Sequence, residues 1–311
     1  MKEEIYDLII IGGGPAGLTA GIYACRTRLN TILLEKGLPG GQLVNIEFVE
    51  NYPGFEQGIS GAELATVMEA QATRFGLKIK QTEVLGVELG QRHKLVKTDA
   101  GEYRARALII AGGSAREKLG VPGEDKLAGR GVSYCATCDG PLFRDQSVAV
   151  VGGGDAAVSE ALFLTKFASS VVLIHRRNQL RAAKVVQERV LTNSKMGFRW
   201  DSVVEEMGGG EQLEWVKLRN VKSGETSRLP VSGIFVYVGQ KPATEYLKGV
   251  LPLDEAGYII TNELMETAVP GVLAAGDIRH NSGRQIVIAA GEGATAALSA
   301  EKYLERQMPA G

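Results

Sequence analysis

The chain has 311 residues, enough for about two domains each with its own core. Its 35 Lys and Arg stand against 36 Asp and Glu, so no charge excess points to nucleic acid or to an anionic membrane surface. No apolar run reaches the ~20 residues of a membrane span, Met1-Lys2-Glu3-Glu4 leads straight into a strand rather than a signal peptide, and three cysteines, one without a close neighbour, point to a reducing cytoplasm.

Residues 6–11 form a continuous apolar run, the pattern of a parallel strand buried on both faces. The run ends in Gly12-Gly13-Gly14-Pro15-Ala16-Gly17, a G-x-G-x-x-G turn that opens a helix predicted over 18–28. A second strand, 31–34, delivers Glu35, 23 residues after Gly12. Gly12, Gly14 and Gly17, with Pro15 and Ala16 completing the turn, let backbone approach a pyrophosphate at a helix N-terminus, and the Glu35 carboxylate accepts from ribose hydroxyls. A lone glycine pattern is weak evidence. Strand, turn, helix, strand and acid in this order specify a dinucleotide site that prefers FAD or NAD.

Gly40-Gly41-Gln42-Leu43 and Glu50-Asn51-Tyr52-Pro53-Gly54 read as loops. Ser60-Gly61-Ala62-Glu63 is a capping box for a helix running to Phe75 and closed by Gly76. Residues 77–98 alternate as an antiparallel hairpin or meander, and a strand at 103–110 ends in Ala111-Gly112-Gly113.

Ser133-Tyr134-Cys135-Ala136-Thr137-Cys138-Asp139-Gly140 carries the chemistry. Cys135 and Cys138 at C-x-x-C spacing can close a small disulfide, and Asp139 follows at once. N–H groups at the start of a helical turn would favour a thiolate there, and Gly140-Pro141 stops such a helix early. A structural zinc site needs about four ligands, and Cys25 and the three histidines, His93, His175 and His280, show no ligand spacing. No metal is expected. A redox dithiol is favoured over zinc or an inert buried pair.

The nucleotide unit then recurs. Residues 147–151 form an apolar strand, followed by Gly152-Gly153-Gly154-Asp155-Ala156-Ala157, a G-x-G-x-x-A turn, a helix at 156–167 and a strand at 170–174. The chain next reaches His175-Arg176-Arg177, again 23 residues after the first glycine, with Arg181 one helical turn further on. Gly152, Gly154, Asp155 and Ala157 mark the second cradle. Residues able to carry or share positive charge replace the acid, so this site prefers the 2′-phosphate of NADPH. Further on, Gly208-Gly209-Gly210 is a hairpin tip, 234–238 closes the second unit, and a strand within 267–277 ends in Gly276-Asp277. Arg284-Gln285 opens a long helix from 286 to about 305.

With two nucleotide turns bracketing C-x-x-C, the chain resembles the low-molecular-weight thioredoxin reductases. Five motifs stand in family order over essentially the whole chain: 12–17, 135–139, 152–157, 175–181 and 276–277. The resemblance implies an α/β protein of two Rossmann-like, three-layer ββα nucleotide-binding domains, the second inserted into the first. The FAD domain would be 1–116 plus 245–311, and 117–244 the NADPH domain bearing the dithiol, with hinges near 119–123 and 239–242. Asp277 would bond the ribityl chain, and Arg284, Gln285 and their helix would lie at the isoalloxazine. Gly41, Gln42 and Asn51 fall in segments that contact FAD. Cys138 would face the flavin, Cys135 would exchange with a disulfide of thioredoxin or a thioredoxin-like small redox protein, and Asp139 would serve as acid and base. A cytoplasmic homodimer is implied. One departure stands out, Ala111-Gly112-Gly113 where the family has Ala-Thr-Gly.

The expected function is NADPH-dependent reduction of a protein disulfide through FAD. The basic triplet weighs against an oxidase or a ferredoxin-driven reductase on the same scaffold. A strand starting at Tyr6 leaves no room for the extra thioredoxin-like module of a peroxide-reducing system's flavin subunit. A flavin-binding redox sensor is the non-enzyme alternative. One inserted segment carries both the dithiol and the nicotinamide site, so it is expected to swing about its linkers.

Overall fold

The computed structural model of the chain describes residues 4–307. It divides into two compact units, one running through Ala115 and resuming at Lys241, the other Arg116–Gln240.

The first unit begins with β1 (Ile5–Ile11), α1 (Pro15–Arg26), β2 (Thr31–Glu35), α2 (Gly61–Arg74), β3 (Lys78–Gln81), β4 (Val84–Leu89), β5 (Lys94–Thr98) and β6 (Gly101–Ile110). The chain leaves through β7 (Ser114–Arg116). The second unit holds α3 (Glu124–Leu127), β8 (Val132–Ser133), α4 (Ala136–Asp139), β9 (Ser147–Val151), α5 (Asp155–Leu164), β10 (Ser170–Ile174), α6 (Lys184–Thr192) and β11 (Met196–Arg199). It continues with β12 (Ser202–Gly208), β13 (Trp215–Asn220), β14 (Thr226–Pro230) and β15 (Gly233–Val236). The chain returns through β16 (Gln240–Pro242) to β17 (Val272–Ala274) and α7 (Ile286–Arg306).

In the first unit β3, β2, β1 and β6 are neighbours in a parallel sheet. β6 is long enough to serve two partners along one edge. Gly101–Ala105 pairs antiparallel with β5, and Leu108–Ile110 pairs parallel with β17. The period-2 alternation of a strand sends consecutive residues to opposite faces. Leu8, Ile10, Leu33 and Ile109 therefore join a core with residues of α1, α2 and α7. Ile9, Ile11, Leu34 and Ile110 join another with Val87, Val96, Leu247 and Ile259. Each fully buried aliphatic side chain contributes about 1.5–3 kcal/mol, which is why the strands read as unbroken apolar runs. Where α1 crosses α7, a Cβ on Gly293 would lie 2.1 Å from the Ala16 carbonyl oxygen, so only glycine allows the approach.

The second unit repeats the plan with a parallel sheet in the order β11-β10-β9-β15-β8. One face packs Val148, Val150, Leu173 and Phe235 with α5 and α6. The other packs Ala149, Val151, Ile174 and Ile234 against the antiparallel sheet β12-β13-β14. Two three-layer α/β units of nucleotide-binding type result. Among the described residues no helix is long and apolar enough to cross a membrane.

The structure departs from the sequence reading at several points of the fold. β3 is not part of a hairpin: it pairs parallel with β2, and only β4–β5–β6 form the meander. The crossover α2 brings the chain back in the same direction, as a βαβ connection must. Gly41–Asn45 is a 3-10 turn rather than open loop. α1 starts at Pro15, three residues earlier than expected, because proline's fixed φ and missing N–H suit the first helical turn. The segment 119–123, expected as a hinge, carries local bonds of its own. The Glu124 carboxylate accepts from the N–H groups of Leu119 (3.0 Å) and Gly120 (2.6 Å), pinning that segment within the second unit.

Candidate active site

In the first unit the end of β1 and the start of α1 form a cradle. Gly12 adopts φ +103°, and a Cβ there would sit 2.4 Å from the Ala111 carbonyl oxygen, so the turn lies hard against the strand-end segment 111–112. A Cβ on Gly17 would lie 1.9 Å from the Gly12 oxygen. Gly14, in contrast, faces open space. The α1 N-terminus has no side-chain cap and no acid in its first turn, leaving its N–H groups available to an anion. The Gly40 N–H donates to the Gly13 carbonyl (2.7 Å) and brings Gly41 against Gly14. Gly276, at φ +80°, packs on Ala16 and places Asp277 beside the same turn. Burial pushes the Asp277 carboxyl up, with the Arg284 charge opposing.

Glu35, expected to meet a ribose, has each oxygen already accepting from backbone. The Gly13 N–H reaches Oε2 at 2.6 Å and the Gly37 N–H reaches Oε1 at 2.8 Å. Each carboxylate oxygen keeps a second lone pair for a further donor, and the backbone bonds fix the carboxylate's orientation. Asn51 Nδ2 donates to Gln285 Oε1 (3.0 Å), joining two expected cofactor residues 234 positions apart. Gln42 Nε2 donates to the Ser114 carbonyl (2.6 Å). Arg284, in the left-handed region at φ +52°, donates to Tyr258 Oη (2.9 Å) and lies over that ring. The Ala111-Gly112-Gly113 segment leaves Gly112 loosely surrounded, 3.4 Å from Ile278 for an added Cβ. The cradle fits a dinucleotide: backbone donors at a helix start, open room over Gly14, and a carboxylate at the strand end.

Glu292 escaped the sequence reading. It is 8% exposed, its Oε2 accepts from the Gly276 N–H (2.7 Å), and Arg279 Nε lies 3.3 Å away. Burial pushes its carboxyl up. The available signal was a single carboxylate in an otherwise small-residue helix segment, Ala289-Ala290-Gly291-Glu292-Gly293.

In the second unit Cys135 and Cys138 form a disulfide, with Cα atoms 5.4 Å apart. Cys135 precedes the one-turn helix α4, and the Cys138 N–H donates to Cys135 Sγ at 3.2 Å, a contact that stabilises negative charge on that sulfur. Gly140-Pro141 does end the α-helix, and the chain goes on as a 3-10 turn to Phe143. Ser133, unremarked in the sequence, organises the acid. Its hydroxyl donates to Asp139 Oδ2 (2.6 Å) and accepts from the Cys135 N–H (3.0 Å). The Ala136 N–H donates to Tyr237 Oη (2.9 Å), on whose ring Arg116 sits. Burial above all pushes the Tyr237 hydroxyl up. Cys138 is exposed and Cys135 half-buried, so the sulfur expected to meet the partner is the less accessible one in this state.

The second glycine turn matches the first. Gly152 takes φ +148°, Gly154 faces open space, and α5 has no side-chain cap. Asp155 lies in the first turn, where its Oδ1 accepts from the Ala183 N–H (2.7 Å) and fixes the loop after β10. Two expectations need correction. His175 is biased against positive charge: it is 5% exposed, and burial first, then Arg181, pushes its imidazole down. Arg181 is not one helical turn on. Residues 175–183 are irregular, and the Arg181 N–H donates to the Gly153 carbonyl (2.7 Å), folding the loop back over the turn. Beside that loop lies an open cavity of about 380 Å³ lined by Arg176, Arg177, Arg181, Lys222 and Asp201 among others. Lys222 and Asp201 arrive from distant sequence, which no local motif could signal.

Residues 6–293 match the family model described as pyridine nucleotide-disulphide oxidoreductase. The chain is 47% identical over 305 residues to thioredoxin reductase of Bacillus subtilis, covering 98% of this chain and 96% of that one. It is 48% identical over 305 residues to that of Streptomyces coelicolor, with 97% and 95% covered. The crystal structure of Lactococcus lactis thioredoxin reductase in its FR conformation superposes with a TM-score of 0.95 at 44% identity, over 97% of this chain and 99% of that one.

Proposed function

The chain belongs to the pyridine nucleotide-disulphide oxidoreductase family and, within it, to the thioredoxin reductases, and on that footing we propose that it uses NADPH and FAD to reduce the disulfide of thioredoxin or a thioredoxin-like small protein. The observation that carries this reading is the Cys135–Cys138 disulfide, held in one compact unit with a glycine turn and its arginine-lined cavity. That unit, Arg116–Gln240, is assigned as the NADPH domain and the other as the FAD domain.

Gly12, Gly14, Pro15, Ala16, Gly17, Gly41 and Gly276 would hold FAD by backbone approach, with Glu35 at a ribose and Gln42, Asn51, Asp277, Arg284 and Gln285 along the rest. Bound FAD supplies the carrier that links a two-electron hydride donor to a disulfide. Gly152, Gly154, Asp155 and Ala157 would form the nucleotide turn, and Arg176, Arg177 and Arg181 would bind the 2′-phosphate through charge-assisted bonds. His175 would pack under that loop. Once the disulfide is reduced, the Cys135 thiolate attacks one sulfur of the partner's disulfide. The other partner sulfur leaves as a thiolate and takes the proton of the Cys138 thiol, relayed by Asp139, which Ser133 holds beside the dithiol. The Cys138 thiolate then attacks Cys135 of the mixed disulfide, releasing the second partner sulfur as a thiolate that water protonates and restoring the internal disulfide. Because the dithiol and the nucleotide turn share one unit, the proposal includes their alternate presentation to the flavin. Cysteine usage fits a reducing cytoplasm, and a homodimer belongs to the same reading.

The test is an anaerobic NADPH titration followed by thioredoxin, on wild type and on Cys135→Ser and Cys138→Ser. NADPH should bleach the flavin in all three, because hydride transfer needs no thiol, while thioredoxin reduction should drop by orders of magnitude in the variants. Full turnover in the double variant would sink the assignment. Cys25→Ser should be nearly silent, since that thiol is buried and pushed up by burial.

A further inference from the structure

The arginine-lined cavity also contains a carboxylate, which a phosphate site should avoid. Asp201 lies in its wall, its side chain only 17% exposed, with Oδ2 at 2.9 Å from Lys222 Nζ. Neither residue is loosely placed. Asp201 adopts φ +50°, a conformation that aspartate tolerates better than most residues. Its N–H points to the Arg177 carbonyl (3.4 Å), and its carbonyl accepts from the Val221 N–H (2.6 Å), tying the arginine segment to the turn that carries Lys222. In that turn Asn220 Oδ1 accepts from the N–H groups of Lys222 (2.9 Å) and Ser223 (3.0 Å), which fixes where the lysine starts. The Lys222 side chain itself is 64% exposed, so its head can move without unpacking anything.

We infer that the Lys222–Asp201 pair is a selectivity element of this cavity, Lys222 masking the Asp201 carboxylate and adding a fourth cation toward a 2′-phosphate. With the mask in place, the wall carries four cations and one acid, a net charge of +3 that falls to +2 when Lys222 is lost. Without it, a carboxylate faces the phosphate and repels it, and the same carboxylate is an acceptor for an unphosphorylated ribose hydroxyl, the role of the acid after a dinucleotide turn. Selectivity then comes from two linked terms, attraction by Lys222 and suppression of Asp201, so the lysine acts against the wrong nucleotide as well as for the right one. The inference rests on the reading of this cavity as the 2′-phosphate site.

Binding to the full chain by calorimetry, with adenosine 2′,5′-bisphosphate and AMP as probes, isolates the phosphate without flavin turnover. Lys222→Met should weaken the bisphosphate about fivefold, the upper range for one exposed, screened charge, and leave AMP unchanged or slightly tighter. Asp201→Asn in the Lys222→Met background should return most of that loss, because the unmasked charge is gone. Arg177→Gln serves as the reference and should weaken the bisphosphate more strongly than AMP. If Arg177→Gln behaves so while Lys222→Met is silent, or if Asp201→Asn fails to restore binding, the selectivity role of the pair is overturned and the cavity assignment stands. If neither Arg177→Gln nor Lys222→Met affects the bisphosphate, the cavity assignment falls and takes the inference with it.

Discussion

In the first unit the residue 23 positions after the first glycine is Glu35, the last of β2, whose carboxylate clasps the Gly13 N–H; in the second the same spacing leads to His175, just after β10, whose ring lies where a Cβ on Gly153 would come within 2.4 Å. Both side chains close over the middle glycine of their turn, at the same spacing. One is a carboxylate that accepts hydrogen bonds, the other a ring packed out of water whose burial disfavours its charged form. The positive charge of the second site therefore comes from the loop beyond it, held in place by the Arg181 N–H on the Gly153 carbonyl. The third turn position differs as well. Gly17 has no room for a methyl, while Ala157 carries one, 1% exposed and 2.6 Å from where a Cβ on Gly152 would stand. Under the proposed assignment of the two sites, one backbone device is set for different nucleotides by the strand-end side chain and the loop it supports, with the glycine skeleton nearly unchanged.

The largest effect should come from exchanging the third positions. Gly17→Ala drives a methyl into the Gly12 carbonyl and should cost about 3 kcal/mol, the upper end for overpacking, with the purified protein retaining little FAD. Ala157→Gly should cost only ~1 kcal/mol and leave NADPH affinity nearly intact. Denaturation curves and flavin content per chain measure both, and equal losses would erase the distinction between the two turns.

Next in size is Arg177→Gln. Losing a charge-assisted bond should weaken NADPH by roughly 1.5–3 kcal/mol, or about 10–150-fold, with NADH little changed. A wild type that already used both nucleotides equally well would show that the loop does not read the 2′-phosphate.

The smallest effect concerns His175. Its folded value lies below the ordinary one, about 6.5, because of burial and then Arg181. As pH falls through 6.5 the unfolded chain takes up a proton that the folded chain refuses, so stability drops between that point and the depressed folded value. His175→Gln should flatten this acid limb, by at most about 1.4 kcal/mol for each pH unit, in melting curves from pH 8 to 5. An acid limb unchanged by the substitution would mean that His175 is not the neutral counterpart of Glu35.

Local pattern alone specified both nucleotide turns, the strands that feed them, the Ser60 cap on α2 and the Cys135–Cys138 pair, because each depends on residues within one turn or one strand of each other. It also placed Glu35 and His175 in matching slots, since a βαβ unit of standard length fixes the spacing from glycine to strand end. Pattern misjudged what depends on environment. A histidine beside two arginines reads as able to carry charge, and only its packing against Gly153 shows that water is largely excluded and its charged form disfavoured. Alternation at 77–98 could not say whether β3 pairs forward or backward, because strand direction is decided by the crossover and not by the strand. Ser133 with Asp139, Glu292 with Gly276, and Lys222 with Asp201 were decided by tertiary structure alone. Each is a polar side chain whose partner is chosen by where the backbone brings it, and a buried or half-buried polar group takes its function from the partner that satisfies it.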